Sequence, residues 1–491
     1  MGMIRLIASV LITLVLLSSS LFAGGFEISG VGVKAKGMGG AFRAIADDWT
    51  AAYYNPAGLA FVMDNQLGVS SGFEHFRHEL TPEYYYYDEF DNTYGVGIFN
   101  DRTLYNHHEI HFMPSFGSVA RLPFWGETVL GLSAYQPFDN NLIWKVWESP
   151  LAYNDSIAYA MHDDQLECDI DVVAFQVTFA REFTEDELAL GLGLQLLRAD
   201  LFYKNLVFRD NPMDAPLNDR PYDKIPEFSK NDGTGWGFGL NLGMQWKLNE
   251  KTTAAATLQI PFSITVSGVT EFTFVMPKGS PYLPYDPGTE EYLFTSGEAV
   301  TPEAEFEADL KLPMSFAVGF AHELSETVTL ALDAEYTAWS SFEGFDFAYS
   351  SFADLPEGPG PVYLAEDFFV QDLTSPSDWD NTIKVMLGAS WEATESLTLL
   401  GGVFMDQSPL SSSDLVTPHF VDPGDKLGIN AGLLFSAHRW ELGLASSYIH
   451  TSDDQDVTSL IDVDGDGIHD NFAALYSAST YETTLSVNYR F

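Results

Sequence analysis

The last eleven residues, Tyr481-Glu482-Thr483-Thr484-Leu485-Ser486-Val487-Asn488-Tyr489-Arg490-Phe491, put Tyr481, Thr483, Leu485, Val487, Tyr489 and Phe491 on one face and Glu482, Thr484, Ser486, Asn488 and Arg490 on the other. A period of two belongs to a strand whose faces meet different surroundings. The same alternation sets Trp236, Phe238, Leu240, Leu242, Met244 and Trp246 against Asn241, Gln245 and Lys247, and it recurs over Leu312–Phe320, Val328–Ala338 and Ile383–Trp391. The apolar face holds Leu, Val, Phe and Trp without a charge across about ten residues, the length a tilted strand needs to cross lipid. A large soluble sandwich would alternate too, but would not need an uncharged outer face.

Outward from these segments, strands are expected at 67–76, 109–122, 127–136, 168–183, 188–208, 235–248, 252–268, 305–324, 327–347, 381–394, 397–406, 427–438, 439–452 and 478–491, fourteen in all. Their connections sort by parity. Thr184 to Glu187, Asn249-Glu250-Lys251, Ser325-Glu326 and Glu395-Ser396 are tiny, whereas 137–167, 209–234, 269–304, 348–380 and 453–477 are long. An even strand number with short turns at one end and long loops at the other describes an all-β, fourteen-stranded antiparallel transmembrane barrel of a bacterial outer membrane. Phe491 as the closing aromatic agrees with it.

Composition narrows the function classes. The 491 residues carry 23 Lys plus Arg against 70 Asp plus Glu, a formal charge of −47, so a phosphate-tracking surface and nucleic-acid partners are set aside. Cys168 stands alone, excluding an intramolecular disulfide and a Cys-based zinc framework. Residues 1–23 read as a secretory signal: Arg5, an apolar run from Leu6 to Leu17, then Ser18 to Ala23. Residues 24–64 are Gly-rich without strand alternation and are expected to plug the lumen of a barrel formed by 65–491.

Within that segment, Ala46-Asp47-Asp48 and Asn55-Pro56-Ala57-Gly58-Leu59 resemble the N-terminal hatch of the FadL family, outer-membrane channels for long-chain fatty acids and, in relatives, aromatic hydrocarbons such as toluene. Further similar stretches follow in the family's order: Leu312-Pro313, Asp333 to Phe342 with its closing Trp-Ser-x-Phe, Trp379-Asp380-Asn381-Thr382, Asp406-Gln407-Ser408-Pro409 and Asp422-Pro423-Gly424-Asp425. The resemblance implies a fourteen-stranded barrel with a hatch (Asp47, Asp48, Asn55, Pro56, Ala57 and Gly58 as its motif), a hydrophobic small-molecule cargo, and lateral exit at a kinked third strand. Pro137 would remove a ladder donor there, or simply start the loop. Outer-membrane lipid, lipopolysaccharide and the barrel assembly machinery are the partners implied.

Turning each apolar face to lipid aims Met386, Leu400, Phe404 and Leu434 inward, as the wall of an apolar ligand site or as packing for the hatch. Lys311 and Lys384 are the inward candidates for a ligand headgroup; Asp333 and Glu335 could neutralise them, and Lys247 at the periplasmic end suits a structural pair. An uncharged hydrocarbon is the alternative cargo. Two metal readings arise. His107, Glu109 and His111 share a face at strand spacing. Asp462, Asp464, Asp466, the Ile468 carbonyl and Asp470 follow the first nine positions of a Ca²⁺ loop, with Ala473 where a bidentate Glu would complete it. No cofactor is required, and no GxSxG or HExxH motif suggests an enzyme. A receptor or adhesin is the non-transport rival, though it would not need a Gly-rich plug.

Overall fold

The computed structural model describes residues 24–82, 102–107, 110–122, 128–146, 164–212, 224–276, 293–294, 296–356, 368–410, 415–420, 424–451, 455–457, 461–463, 465 and 470–491. Fourteen antiparallel strands close into one barrel. They are β1 (Gln66–Pro82), β2 (Ile110–Leu122), β3 (Thr128–Trp144), β4 (Leu166–Thr184), β5 (Leu188–Asp210), β6 (Lys224–Asn249), β7 (Thr252–Pro261 and Ile264–Val275), β8 (Glu303–Leu310 and Ser315–Ser325), β9 (Val328–Thr337 and Gly344–Ala353), β10 (Leu373–Pro376 and Thr382–Thr394), β11 (Leu397–Asp406), β12 (Lys426–Ala437), β13 (Trp440–Thr451) and β14 (Ala474–Arg490). β14 returns to β1 in register from Gln66↔Arg490 to Pro82↔Ala474, leaving no free edge at the seam.

Several expected strands were too short or too continuous. On the outer part of β6, Lys230 and Asp232 take the face that Trp236 and Phe238 turn to lipid lower down, so apolar alternation stops before the ladder does. β7, β8 and β9 are each broken near mid-length and β10 nearer its outer end, and Pro261, Pro313 and Pro376 sit at or beside three of the breaks. Proline brings no ladder donor, so pairing lapses locally and the face parity resets. Leu312 is buried while Met314, two residues on, is exposed at 45%, so they share no lipid face.

The outward face is apolar along the intact strands; Leu190, Leu192, Leu194 and Leu196 all stand exposed on β5. Among the described residues no helix is long and apolar enough to cross a membrane. Inside lies residue stretch 24–62, folded into short helices α1 (Val33–Gly37) and α2 (Ala51–Tyr54) and a 3₁₀ turn (Pro56–Phe61). Such irregular backbone is tolerated in a lumen only if its polar groups find partners. Inward amides of the wall supply them: Gln176 Nε2 donates to Ala52 O (2.7 Å), Asn241 Nδ2 to the carbonyls of Ala52 and Tyr53 (both 2.9 Å), and Gln259 Nε2 to Tyr53 O (2.9 Å).

Candidate functional site

The hatch motif is held by short-range side-chain hydrogen bonds, with Asn55 as the N-cap of the 3₁₀ turn. Asp48 Oδ1 accepts from the Thr50 N–H at 2.8 Å, at the start of α2, and burial pushes its carboxyl up to about 6. Asp47 instead points outward to Lys34, 2.6 Å away. Asn55 is fully buried; its Oδ1 accepts from Ala57 N (3.1 Å) and its Nδ2 donates to Arg43 O (2.8 Å). Gly58 lies against Ala46, where a Cβ would come within 2.2 Å of the Ala46 carbonyl oxygen. These residues fix the hatch and stand apart from the lumenal cavity.

Arg43, which no sequence motif singled out, anchors the hatch to β9. Its guanidinium lies 2.6 Å from Glu335 and 3.5 Å from Asp333, and Asp333 Oδ2 also accepts from the Phe42 and Arg43 N–H groups at 3.0 and 2.9 Å. Asp333 and Glu335 therefore answer a hatch cation, not Lys311. Lys311 falls in the break of β8, is half-buried and pairs with Glu343, and it does not line the cavity. The expectation that it faces the lumen carried alternation across an interrupted ladder. Lys247 behaves as expected of a turn-end lysine, 3.8 Å from Asp186.

Towards the outer end, a cavity of about 80 Å³, within about 840 Å³ of space that includes open solvent, separates the hatch N-terminal stretch from the wall. Phe26, Phe76, Phe404, Trp379 and Phe420 give it an aromatic lining, and Lys384 and Lys426 bring positive charge. Lys384 Nζ lies 3.0 Å from Asp406 and 5.1 Å from the centroid of the Phe404 ring; Lys426 Nζ donates to Gly24 O at 3.1 Å. Glu27 projects into the same space, and burial, reinforced by Glu335, raises its carboxyl from 4.5 to about 8. Of the four apolar wall candidates, Phe404 lines this cavity, while Met386, Leu400 and Leu434 form one buried cluster with Val33, Met38 and Ala41 of the hatch. Lys426 and Asp406 were within reach of the sequence, since each shares the inward parity of its strand. Glu27 was not, because the hatch has no period to orient it.

The Trp-Ser-x-Phe stretch occupies the break of β9, turning Trp339 and Phe342 into the lumen. Phe26 meets them edge-on at 4.9 and 5.3 Å between ring centroids, and Trp379 at 5.8 Å. An aromatic block thus rests on the first residues of the hatch.

The wall itself is interrupted beside the cavity. β2 pairs with β3 only from Phe116↔Ala134 to Leu122↔Thr128, while its outer residues Ile110–Ser115 pair on the β1 side alone among the described residues. Between Tyr135 and Phe138, β3 carries two residues, Gln136 and Pro137, opposite the single Val173 of β4, a β-bulge. Pro137 therefore does not start a loop; β3 continues to Trp144. The hatch uses the freed edge: Ile28 N donates to Pro137 O (3.3 Å) and Asp139 N to Phe26 O (2.9 Å). At the far end His107 N donates to Ile143 O (3.0 Å), which bounds the gap.

The sequence family described as outer membrane protein transport protein (OMPP1/FadL/TodX) matches residues 14–491. The chain belongs to this family. Its fold is similar to that of a FadL homologue of Pseudomonas aeruginosa (TM-score 0.71, 16% identity, 95% of this chain and 100% of the other) and of the Pseudomonas putida toluene transporter TodX (TM-score 0.64, 14% identity, 95% and 99%). A putative outer membrane protein of Neisseria meningitidis serogroup B is 21% identical over 225 residues, 45% of this chain and 44% of that protein, so the match spans less than half of the relative's length. As a FadL/TodX-family barrel, the protein resides in the outer membrane and is a transport barrel by family.

The metal candidates fare differently. Glu109, Asp464, Asp466 and Ile468 lie outside the described residues. Asp462 Oδ1 accepts from Gly465 N (2.6 Å) and Asp470 Oδ2 from Val463 N (2.7 Å), so both carboxylates already fold their own loop. His107 pairs with Asp164 at 2.9 Å, and His111 turns away from it to Asp139 on β3.

Proposed function

We propose that this family member is a passive uptake channel whose cargo is a long-chain fatty acid or a similar amphiphile, taken from the outer end into the aromatic cavity and released sideways through the gap between β2 and β3. The observation that carries this reading is the pairing of Lys384 and Lys426 with an aromatic wall in one cavity next to that gap. Burying a hydrocarbon chain is worth about 0.8 kcal/mol per methylene, and an ammonium suits a carboxylate headgroup. Movement of Gly25–Ser29, which lies both in the cavity and on the freed edge of β3, would join the two spaces.

A second reading, an uncharged aromatic hydrocarbon, is favoured by one observation: Lys384 already has a carboxylate partner in Asp406. TodX, of similar fold, is described as a toluene transporter. Uptake of labelled palmitate and toluene into liposomes bearing the purified barrel separates the readings. If Lys384→Met and Lys426→Met depress palmitate uptake and spare toluene, the headgroup site is located; toluene uptake alone in the unaltered protein would replace the first reading with the second. Ca²⁺ at Asp462–Asp470 is a separate proposal from the loop's carboxylate spacing, checked by calorimetry with Asp462→Ala as control.

A further inference from the structure

The gap between β2 and β3 is crossed by side chains where backbone pairing is missing. His111 Nε2 on β2 lies 3.0 Å from Asp139 Oδ1 on β3 and 3.9 Å from Asp171 Oδ1 on β4. Asp139 and Asp171 are register partners and so share a face. That parity is the outward one of Phe175 and Val177 lower on β4, whereas His111 shares the inward parity of Met113 and Ser115. The outer half of β3 therefore passes inside β2, bringing outward carboxylates against an inward imidazole.

Charge at this point is unbalanced. Glu74 and Asp169 also interact electrostatically with His111, so one imidazole stands in the field of four carboxylates, two of them in contact with it. Gln136 Nε2 donates to Asp139 Oδ1 at 2.9 Å and also to Asp171. Asp139 is nevertheless left with Oδ2 buried and without a hydrogen-bond partner in a residue only 8% exposed, and the Oδ1 atom of half-buried Asp169 also lacks a partner. A buried, unpartnered carboxylate oxygen is costly unless a donor or a cation meets it. One ligand atom each from His111, Asp139 and Asp171 already lies within 4.8 Å of the other two.

We propose that His111, Asp139 and Asp171 bind a divalent transition-metal ion that ties β2, β3 and β4 together across the gap. Ca²⁺ and Mg²⁺ prefer all-oxygen sets, whereas one imidazole with two carboxylates suits Zn²⁺ and its first-row neighbours. The ion takes the imidazole in its neutral form, so its entry replaces the hydrogen bond that Nε2 makes to Asp139. It would act as a latch where the ladder supplies none. The binding stands on these residues alone; its effect on passage rests on the lateral route proposed above.

The test is calorimetric titration of Zn²⁺ into the chelator-treated full chain in detergent micelles. One ion per barrel is expected, with affinity lowered at least about tenfold in His111→Ala and in Asp171→Asn, and unchanged in His107→Ala. Heat-modifiable migration on gels reports that each variant is folded; Asp171, the more exposed carboxylate, keeps the test usable if Asp139→Asn does not fold. Absence of Zn²⁺ binding, or equal binding by folded His111→Ala, overturns the site. Uptake is then compared with Zn²⁺ and with chelator. Slower uptake with Zn²⁺ in the unaltered protein but not in His111→Ala supports the latch. Binding lost in His111→Ala with uptake indifferent to Zn²⁺ keeps the metal site and overturns the latch.

Discussion

The wall of β4 to β6 and the wall of β2 to β3 carry the same apolar alternation, yet one is sealed and the other open. β5 and β6 pair without interruption from Leu188↔Trp246 to Asp210↔Lys224, and their inward glycines let the Asn55-Pro56-Ala57 turn of the hatch press against the backbone. β2 and β3 separate above Phe116↔Ala134, where Pro114 and Pro137 bring no ladder donors and a bulge displaces Gln136. Side-chain pattern decides which face meets lipid, whereas backbone donors and register decide whether neighbouring strands form a barrier.

Repairing the open wall should have the largest effect. Two residues of β3 oppose one of β4, so deleting Pro137 restores one-to-one register without removing a bond of the β3–β4 ladder, although the hatch loses the carbonyl that accepts from Ile28 N. The variant is expected to remain a heat-modifiable barrel and to lose uptake of palmitate and toluene alike. Persistent uptake would show that the two walls do not differ as barriers. Loosening the hatch on its anchored side comes next: Arg43→Met leaves Asp333 and Glu335 buried without their cation, and removing one partner of such a pair costs about 3–5 kcal/mol. Limited proteolysis in a urea series should then cut within residues 24–64 at lower urea than in the parent, with the strands still protected.

The strand count was legible because fourteen apolar faces repeat with period two and the turns betray their parity. The gap was not, since Pro137 read alone fits a loop start as well as a bulge; the distinction depends on what β4 offers opposite it. Met386, Leu400, Phe404 and Leu434 were oriented correctly by parity, but whether each meets ligand or hatch depends on where α1 docks, which no local pattern records. Lys311 shows the opposite failure, a period extended through a proline break. His111, Asp139 and Asp171 come from three strands, so sequence spacing offers no hint of their meeting.

The sealed wall makes a smaller, sharper prediction. A Cβ on Gly191 would stand 2.3 Å from Ala57 N and from the Pro56 carbonyl carbon, both backbone, whereas one on Gly401 of β11 meets nothing within 4 Å. Gly191→Ala should therefore destabilise hatch docking by about 1–3 kcal/mol, the range for overpacking, and Gly401→Ala should not. Equal urea midpoints for hatch proteolysis in the two variants would mean that the turn does not bear on this wall.

The last effect is expected where the hatch meets the open edge, and it depends on pH. Glu27 is raised from 4.5 to about 8 by burial first and by Glu335 second, so the docked N-terminal stretch holds a proton that the undocked one releases. Its contribution to docking is therefore complete below about 4.5, declines above it and is lost as the pH rises through about 8. Hydrogen exchange at the Ile28 and Asp139 amides, which bond Pro137 O and Phe26 O, should accelerate beyond the intrinsic base-catalysed increase as the pH rises from 4.5 to about 8, with the excess levelling off above that. Glu27→Gln should flatten that excess, while amides of the β5–β6 ladder show none in either protein. A matching excess at β5 and β6 would place the pH response in the whole barrel and remove the distinction between its anchored and open sides.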